Sequence, residues 1–343
     1  MSTTRTTRAT RATRTTTGTT VRAVVRDRYA GPADLRVTQR ELPPPTGDQV
    51  HVRVAAAGVA MGDWHLVTGL PSVMRLVTGL RAPREPGVGL DLAGTVAAVG
   101  PDVADLRPGD RVLGCGRAAF AEVAVTRARR VAALPADVPF TAAAAVPTSG
   151  TTALHALRSG RVQAGSRVLV LGAGGGVGTL AVRLAVLAGA EVTAATARAG
   201  AAGALLAAGA TAVVDRSAGP AALGSGYDAV LVTGGLTPLR DLRRLLGPRG
   251  SLVLVGAEGG GRVLGGGLAR QARAAALDPW VRHRLRSVVS RENPADLARL
   301  RNLLAGGDLA PVLDRTYPLA EAGAAIERVA SGAARGKVVL TVA

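Results

Sequence analysis

The chain has 343 residues, enough for two domains and a sizeable core. Its one cysteine, Cys115, excludes an intramolecular disulfide and a cysteine-based structural zinc site, and fits a reducing cytoplasm. The formal net charge is +18, but the basic residues are scattered, Lys337 is the only lysine, and aromatics make up 2 % of the chain; no specific nucleic-acid recognition is expected.

Residues 1–20 are largely a Thr/Arg repeat that cannot bury an apolar face and has no apolar core of a secretory signal, so a disordered tail is expected there. Nowhere does an uninterrupted apolar run reach the length of a membrane span. Strands are expected at Val21–Val25 and Leu35–Arg40, the second stopped by Pro43-Pro44-Pro45. Gln49–Ala57 alternates apolar and polar residues, the pattern of a half-buried strand. A motif at Gly58–His65 and an apolar loop to about Arg84 follow, then strands in Val88–Val99, near Arg111–Leu113 and in Phe120–Val125. Many short strands with Gly/Pro turns point to a small, partly open β-barrel over residues 21–145.

From Phe140 the texture becomes helical, at Thr141–Val146 and Thr151–Ser159. Arg167–Leu171 is a short apolar run ending in glycines, Thr179–Ala188 has the length of a helix, and Val192–Thr196 is a second apolar run. That is the strand–turn–helix–strand unit of a dinucleotide-binding sheet. Its turn, Ala173, Gly174, Gly175, Gly176, Val177 and Gly178, is expected to hold a pyrophosphate against the helix N-terminus. Further strands at Ala212–Val214, Ala229–Val232, Leu252–Val255 and Arg286–Ser290 alternate with helices at Leu205–Ala208 and Pro238–Leu246. The fold class is therefore α/β, with a doubly wound parallel (Rossmann) sheet over residues 146–292. Pro294–Leu304 and Leu319–Ser331 read as helices and Lys337–Val342 as a closing strand.

An NAD site carries an acid about twenty residues beyond the glycine turn to bond the ribose 2′-hydroxyl. Here the second strand ends Ala194-Ala195-Thr196-Ala197-Arg198, without one. Thr196 and Arg198 suit a 2′-phosphate instead, so the expected cofactor is NADP(H).

Several motifs stand in a telling order: Gly58-Val59…Asp63-Trp64-His65, Gly89-x-Asp91-x-Ala93-Gly94-x-Val96, Arg107-Pro-Gly-Asp-Arg-Val112, the glycine turn, and Arg335-Gly-Lys-Val-Val-Leu340. Together they resemble the medium-chain dehydrogenase/reductase superfamily, in its zinc-free quinone-oxidoreductase-like branch. The resemblance implies a GroES-like catalytic domain completed by residues 293–343, with the cofactor domain inserted. The three catalytic zinc-ligand positions of the zinc-binding relatives fall on Ala60, Leu90 and Thr148, none of which offers a thiolate or imidazole. No metal is expected.

The implied chemistry is hydride transfer from NADPH to an apolar quinone or activated alkene. His65, where related reductases often carry Tyr, is the first candidate for oxyanion donor or proton source, and a structurally satisfied histidine is the other reading. Asp63, in the same motif, reads as a loop-fixing hydrogen-bonder that stands beside it. Many zinc-free relatives have Asn where this chain has Ala60. The resemblance also places Thr152 beside the nicotinamide, Thr233-Gly234 and Gly256-Ala257 at cofactor-side strand ends, and Lys337 on the pyrophosphate. Arg286–Ser290 is expected at a sheet edge that pairs with its copy in a homodimer. The alternatives are zinc-free alcohol–ketone chemistry or a non-enzymatic NADPH-binding protein.

Overall fold

The structure is a computed structural model that describes residues 18–198, 200–256 and 265–342. The expected tail, up to residue 17, and Ala257 lie outside these. The first part runs β1 (Thr19–Val25), β2 (Arg36–Leu42), β3 (Gln49–Val59), α1 (Met61–Thr68), α2 (Arg75–Thr78), β4 (Asp91–Val99), β5 (Arg111–Cys115), β6 (Val123–Arg127) and β7 (Val131–Ala133). Helices α3 (Phe140–Ala144) and α4 (Pro147–Gly160) lead into β8 (Arg167–Leu171), α5 (Gly176–Leu187), β9 (Glu191–Thr196), α6 (Ala202–Ala207) and β10 (Ala212–Asp215). Then come β11 (Tyr227–Val232), α7 (Leu239–Arg244), β12 (Leu246–Val255), α8 (Gly265–Leu277) and β13 (Arg284–Val288). The chain closes with α9 (Pro294–Ala305), β14 (Leu313–Pro318), α10 (Ala322–Ala330) and β15 (Lys337–Thr341).

Strands β10-β9-β8-β11-β12-β13 form a parallel six-stranded sheet in that order. Its central strands read as unbroken apolar runs because both faces are covered. Along β8 the side chains alternate between two cores. Val168 and Val170 pack with Leu180 and Leu184 of α5, while Leu169 and Leu171 pack with Leu242 of α7 and Ala274 of α8. Strand β13 ends the sheet, as expected of the Arg286 segment, two residues earlier than the sequence pattern marks.

The second sheet is ordered β14-β15-β3-β4-β5-β7, with β6 also on β3. Strand β3 is long enough to serve two partners on one edge. Its first half pairs with β6 (Gln49–Arg53 opposite Val123–Arg127) and its last four residues with β15 (Ala56–Val59 opposite Val338–Thr341). This gives the GroES-like, partly open barrel, built from both ends of the chain. The β15 pairing has a functional consequence, because it carries Lys337 to the junction of the two sheets. Just before it, Gly336 N–H donates to Gly174 O at 2.9 Å and Gly336 bridges Gly175, tying the C-terminal segment to the glycine turn.

Candidate active site

At the end of β8 the chain turns through Gly172, whose φ of +84° is left-handed. A side chain at Gly178 would put its Cβ 2.3 Å from Gly172 O, so only glycine lets α5 start this close to the strand. Gly175 caps α5 with extended φ −90°, leaving the helix's first N–H groups and positive end facing the turn. Thr233, just past β11, locks the turn from the side: its hydroxyl reaches Leu171 O (3.0 Å) and Gly172 O (3.2 Å). The cradle therefore fits a dinucleotide pyrophosphate.

Beyond the end of β9, Arg198 N–H donates to Thr196 Oγ1 at 3.1 Å. The Arg198 guanidinium bonds Gly332 O through Nε (2.8 Å), and its Nη1 lies 3.4 Å from the Cβ position of Gly175. It thus sits between the glycine turn and the C-terminal segment, and no acid from β9 competes for the ribose.

Next to the turn opens a cavity of about 710 Å³. Gly175, Gly176, Val177, Arg198, Thr233 and Gly234 line the cofactor side; Ala60, Met61, Trp64, His65, Leu70 and Pro71 form an apolar opposite wall; Ser149 and Lys337 also line it. Of the other expected site residues, Asp63, Thr152, Ala173, Gly174, Gly178, Thr196 and Gly256 are outside this lining. Gly174 and Thr196 nonetheless touch: a Cβ on Gly174 would fall 2.7 Å from Thr196 Oγ1. Gly256 turns with φ +80° beyond β12 and accepts from Gln271 Nε2 at 2.6 Å.

Three placements differ from the sequence reading, while Asp63 takes the loop-fixing place expected of it. Asp63 is fully buried and caps α1: its Oδ2 accepts from Ala60 N–H at 2.8 Å, while its Oδ1 has no partner. It fixes the motif instead of facing the substrate side. Thr152 spends its hydroxyl on Thr148 O (2.7 Å), one helical turn back. Lys337 does not reach toward a pyrophosphate. It is 1 % exposed, and its ammonium donates to Val59 O (3.2 Å) and Ser149 Oγ (3.0 Å) and lies 3.7 Å from Asp91 Oδ2. The pairing of β15 with β3 forces this, since it points the side chain into the junction.

The third is His65, which does line the cavity. Its Nδ1 stands 2.6 Å from Leu70 O, and a carbonyl only accepts, so Nδ1 carries the proton. Burial pushes the ring's pKa down, against the Leu70 bond that raises it. A neutral ring then leaves Nε2 as an acceptor, so the donor role expected of His65 does not follow from its geometry. The sequence missed Ser149, which carries no signal of its own: an isolated serine in a helix stands out only once Lys337 is seen bonded to it.

Asp91 anchors the floor. Its Oδ1 accepts from Thr148 N (3.0 Å), from the Thr148 hydroxyl and from Cys115 Sγ (3.5 Å). Burial pushes its carboxyl upward, opposed first by Lys337 and then by the Thr148 bonds.

A family model described as an alcohol dehydrogenase GroES-like domain matches residues 46–136, and one described as a zinc-binding dehydrogenase matches residues 208–340. The quinone oxidoreductase of Coxiella burnetii superimposes with a TM-score of 0.82 at 25 % identity, over 95 % of this chain and 100 % of that one. The chloroplast envelope quinone oxidoreductase homolog of Arabidopsis thaliana is 29 % identical over 325 residues, 90 % of this chain and 94 % of that protein. The chain belongs to the medium-chain dehydrogenase/reductase superfamily. Within that superfamily it is quinone-oxidoreductase-like. It is also 36 % identical over 309 residues to the spectinabilin polyketide synthase system protein NorB of Streptomyces orinoci, of which it spans 13 %.

The zinc-binding dehydrogenase match begins at residue 208, beyond all three ligand positions. Ala60 has no donor atom, Leu90 has none, and the Thr148 hydroxyl is bonded to Asp91. Among the described residues no three His, Cys, Asp or Glu side chains gather as a metal site. The residues do not fit a catalytic zinc. No described helix is long and apolar enough to cross a membrane.

Proposed function

We propose that the protein is an NADPH-dependent, zinc-independent reductase that delivers hydride to an apolar quinone or activated alkene in the cytoplasm. The observation that carries the reading is the shared cavity. One wall is the glycine turn with Arg198, and the other is the apolar surface of Met61, Trp64, Leu70 and Pro71, with alanine, leucine and threonine at the lost ligand positions. The family's quinone oxidoreductases support the acceptor class. A bound nicotinamide would supply the hydride.

The chain's own part is positioning. The α5 N-terminus and glycine turn hold the pyrophosphate, Arg198 with Thr196 selects the 2′-phosphate, and the apolar wall strips water from a flat acceptor. Quinones and enones are already electrophilic, so they need a donor to the developing oxyanion but no Lewis acid. Zinc-dependent alcohol oxidation would need one, which sets that chemistry apart. Strand β13 ends the parallel sheet, a place that suits pairing with a second copy, and the working form is proposed to be a homodimer. Light scattering that gives a monomer at micromolar concentration would remove that part.

The test is a panel of quinones and enones with NADPH. Acceptor-dependent consumption of NADPH supports the reading. Tight NADPH binding with no turnover on any acceptor would favour a non-enzymatic binding protein.

A further inference from the structure

Every cation of this chain but one is arginine, among 42 lysines and arginines in all. The exception, Lys337, is among the most deeply buried large side chains. Its three neighbours, Val59 O, Asp91 Oδ2 and Ser149 Oγ, each come from the residue next to a lost zinc-ligand position: Ala60, Leu90 and Thr148. The chain has put an ammonium beside the place its zinc-binding relatives give to a metal. Charge at this point is balanced by Asp91, one cation to one carboxylate.

Ser149 converts that buried charge into something the cavity can use. The residue is 2 % exposed and lines the cavity. Its oxygen accepts from Lys337 Nζ, and its own O–H has no acceptor among the described residues. A hydroxyl that receives a charge-assisted hydrogen bond becomes a stronger donor in turn. His65 supplies no such donor while neutral, for the reason given above.

We propose that Ser149, polarised by the Lys337 ammonium, is the donor to the oxygen of the hydride acceptor. The inference rests on the reductase reading of the same cavity. When the hydride pair adds to the β-carbon of an enone, the π pair of the C=C bond shifts toward the carbonyl, and its oxygen becomes negative. Ser149 O–H bonds that oxygen and then transfers its proton to it. Ser149 is reprotonated by the Lys337 ammonium, and the amine recovers a proton from water in the cavity. Hydride and proton together reduce the alkene to the enol, which reverts to the ketone, and the nicotinamide leaves oxidised. A quinone is reduced to hydroquinone by the same two transfers, one hydride and one proton, with no further proton needed. Arginine would not serve behind Ser149, because a guanidinium does not release its proton.

The test uses para-nitrophenol as an oxyanion mimic on the full chain saturated with NADP+, read by its visible phenolate band. The wild type should bind it as the phenolate. Ser149→Ala should lose roughly tenfold or more of that affinity and about 10²-fold in kcat on an enone, with NADPH affinity unchanged and the melting temperature lowered by the loss of one buried partner of Lys337. Ser149→Thr, which keeps the hydroxyl, should recover most of both. Failure to bind, binding as the neutral phenol, or equal phenolate binding by Ser149→Ala would overturn the proposal. The two readings separate cleanly. Phenolate binding that depends on Ser149 in a protein that reduces no acceptor would keep the donor and reject the reductase. Reduction untouched by Ser149→Ala would do the reverse.

Discussion

Lys337 Nζ and Asp91 Oδ2 stand 3.7 Å apart, and both side chains are 1 % exposed. Burying either charge alone is expensive, and together they are tolerated because each also has hydrogen-bond partners: Val59 and Ser149 for the lysine, Thr148 and Cys115 for the aspartate. Removing one partner strands the other. Lys337→Met should cost about 3–5 kcal/mol of stability, whereas Lys337→Met with Asp91→Asn should cost clearly less than the sum of the two single changes. Denaturant unfolding of the four proteins checks this, and strict additivity would show that the two groups do not depend on each other.

Asp63 makes stability depend on pH. Burial lifts its carboxyl from the ordinary 3.8 to about 7, with Asp91 adding to the rise and the Ala60 N–H, Lys337 and Arg26 opposing it. Between those values the folded chain keeps a proton that the unfolded chain has released. The group's favourable contribution is therefore full below 3.8 and lost as pH rises through about 7. Asp63→Asn keeps an acceptor for Ala60 but cannot ionise. It should gain stability over the wild type at about pH 8 and show little difference at about pH 4, by denaturation midpoints. An equal offset at both pH values would reject the burial argument.

Arg198 is the residue proposed to govern cofactor choice. Its guanidinium is already held over the glycine turn by Gly332 O, so a 2′-phosphate meets it without reorganisation. Arg198→Ala should weaken NADPH by roughly 1.5–3 kcal/mol and leave NADH nearly unchanged. Titration with both cofactors decides it; a wild type that binds them equally would refute the assignment.

The cofactor half of the molecule was the legible half. Strand β8 coincides with Arg167–Leu171 because a fully buried parallel strand reads as an unbroken apolar run. Helix α5 starts at Gly176, ahead of the expected Thr179, since tertiary packing overrides the poor helix propensity of Gly176 and Gly178. The stretch Met61–Thr68 was legible as a motif but not as a helix. What makes it α1 is the Asp63 back-bond to Ala60 and a left-handed Gly69 at its end, with φ +62°. Strand β14 (LDRTYP) is mostly polar, at the end of its sheet, and gave no alternating pattern. In the site, the glycine turn, where β8 ends, was readable from spacing and Thr233, where β11 ends, only from the family resemblance. Side-chain directions were not: the Lys337 ammonium, the Thr152 hydroxyl and the His65 tautomer are decided by neighbours distant in sequence.

His65 should matter less than its place on the cavity wall suggests. With Nδ1 committed to Leu70 and the ring's pKa lowered by burial, its free nitrogen accepts at neutral pH. His65→Ala should change kcat by less than about tenfold, against the far larger loss expected of Ser149→Ala. A drop of about 10²-fold or more, with NADPH affinity intact, would restore His65 as the proton source.

Acceptor-dependent oxidation of NADPH by protein stripped of metal through exhaustive chelation tests the central claim most directly. The expected result is saturable turnover of an enone or quinone, equal before and after stripping and much weaker with NADH. Stoichiometric zinc in the purified protein, lost together with the activity, would contradict it.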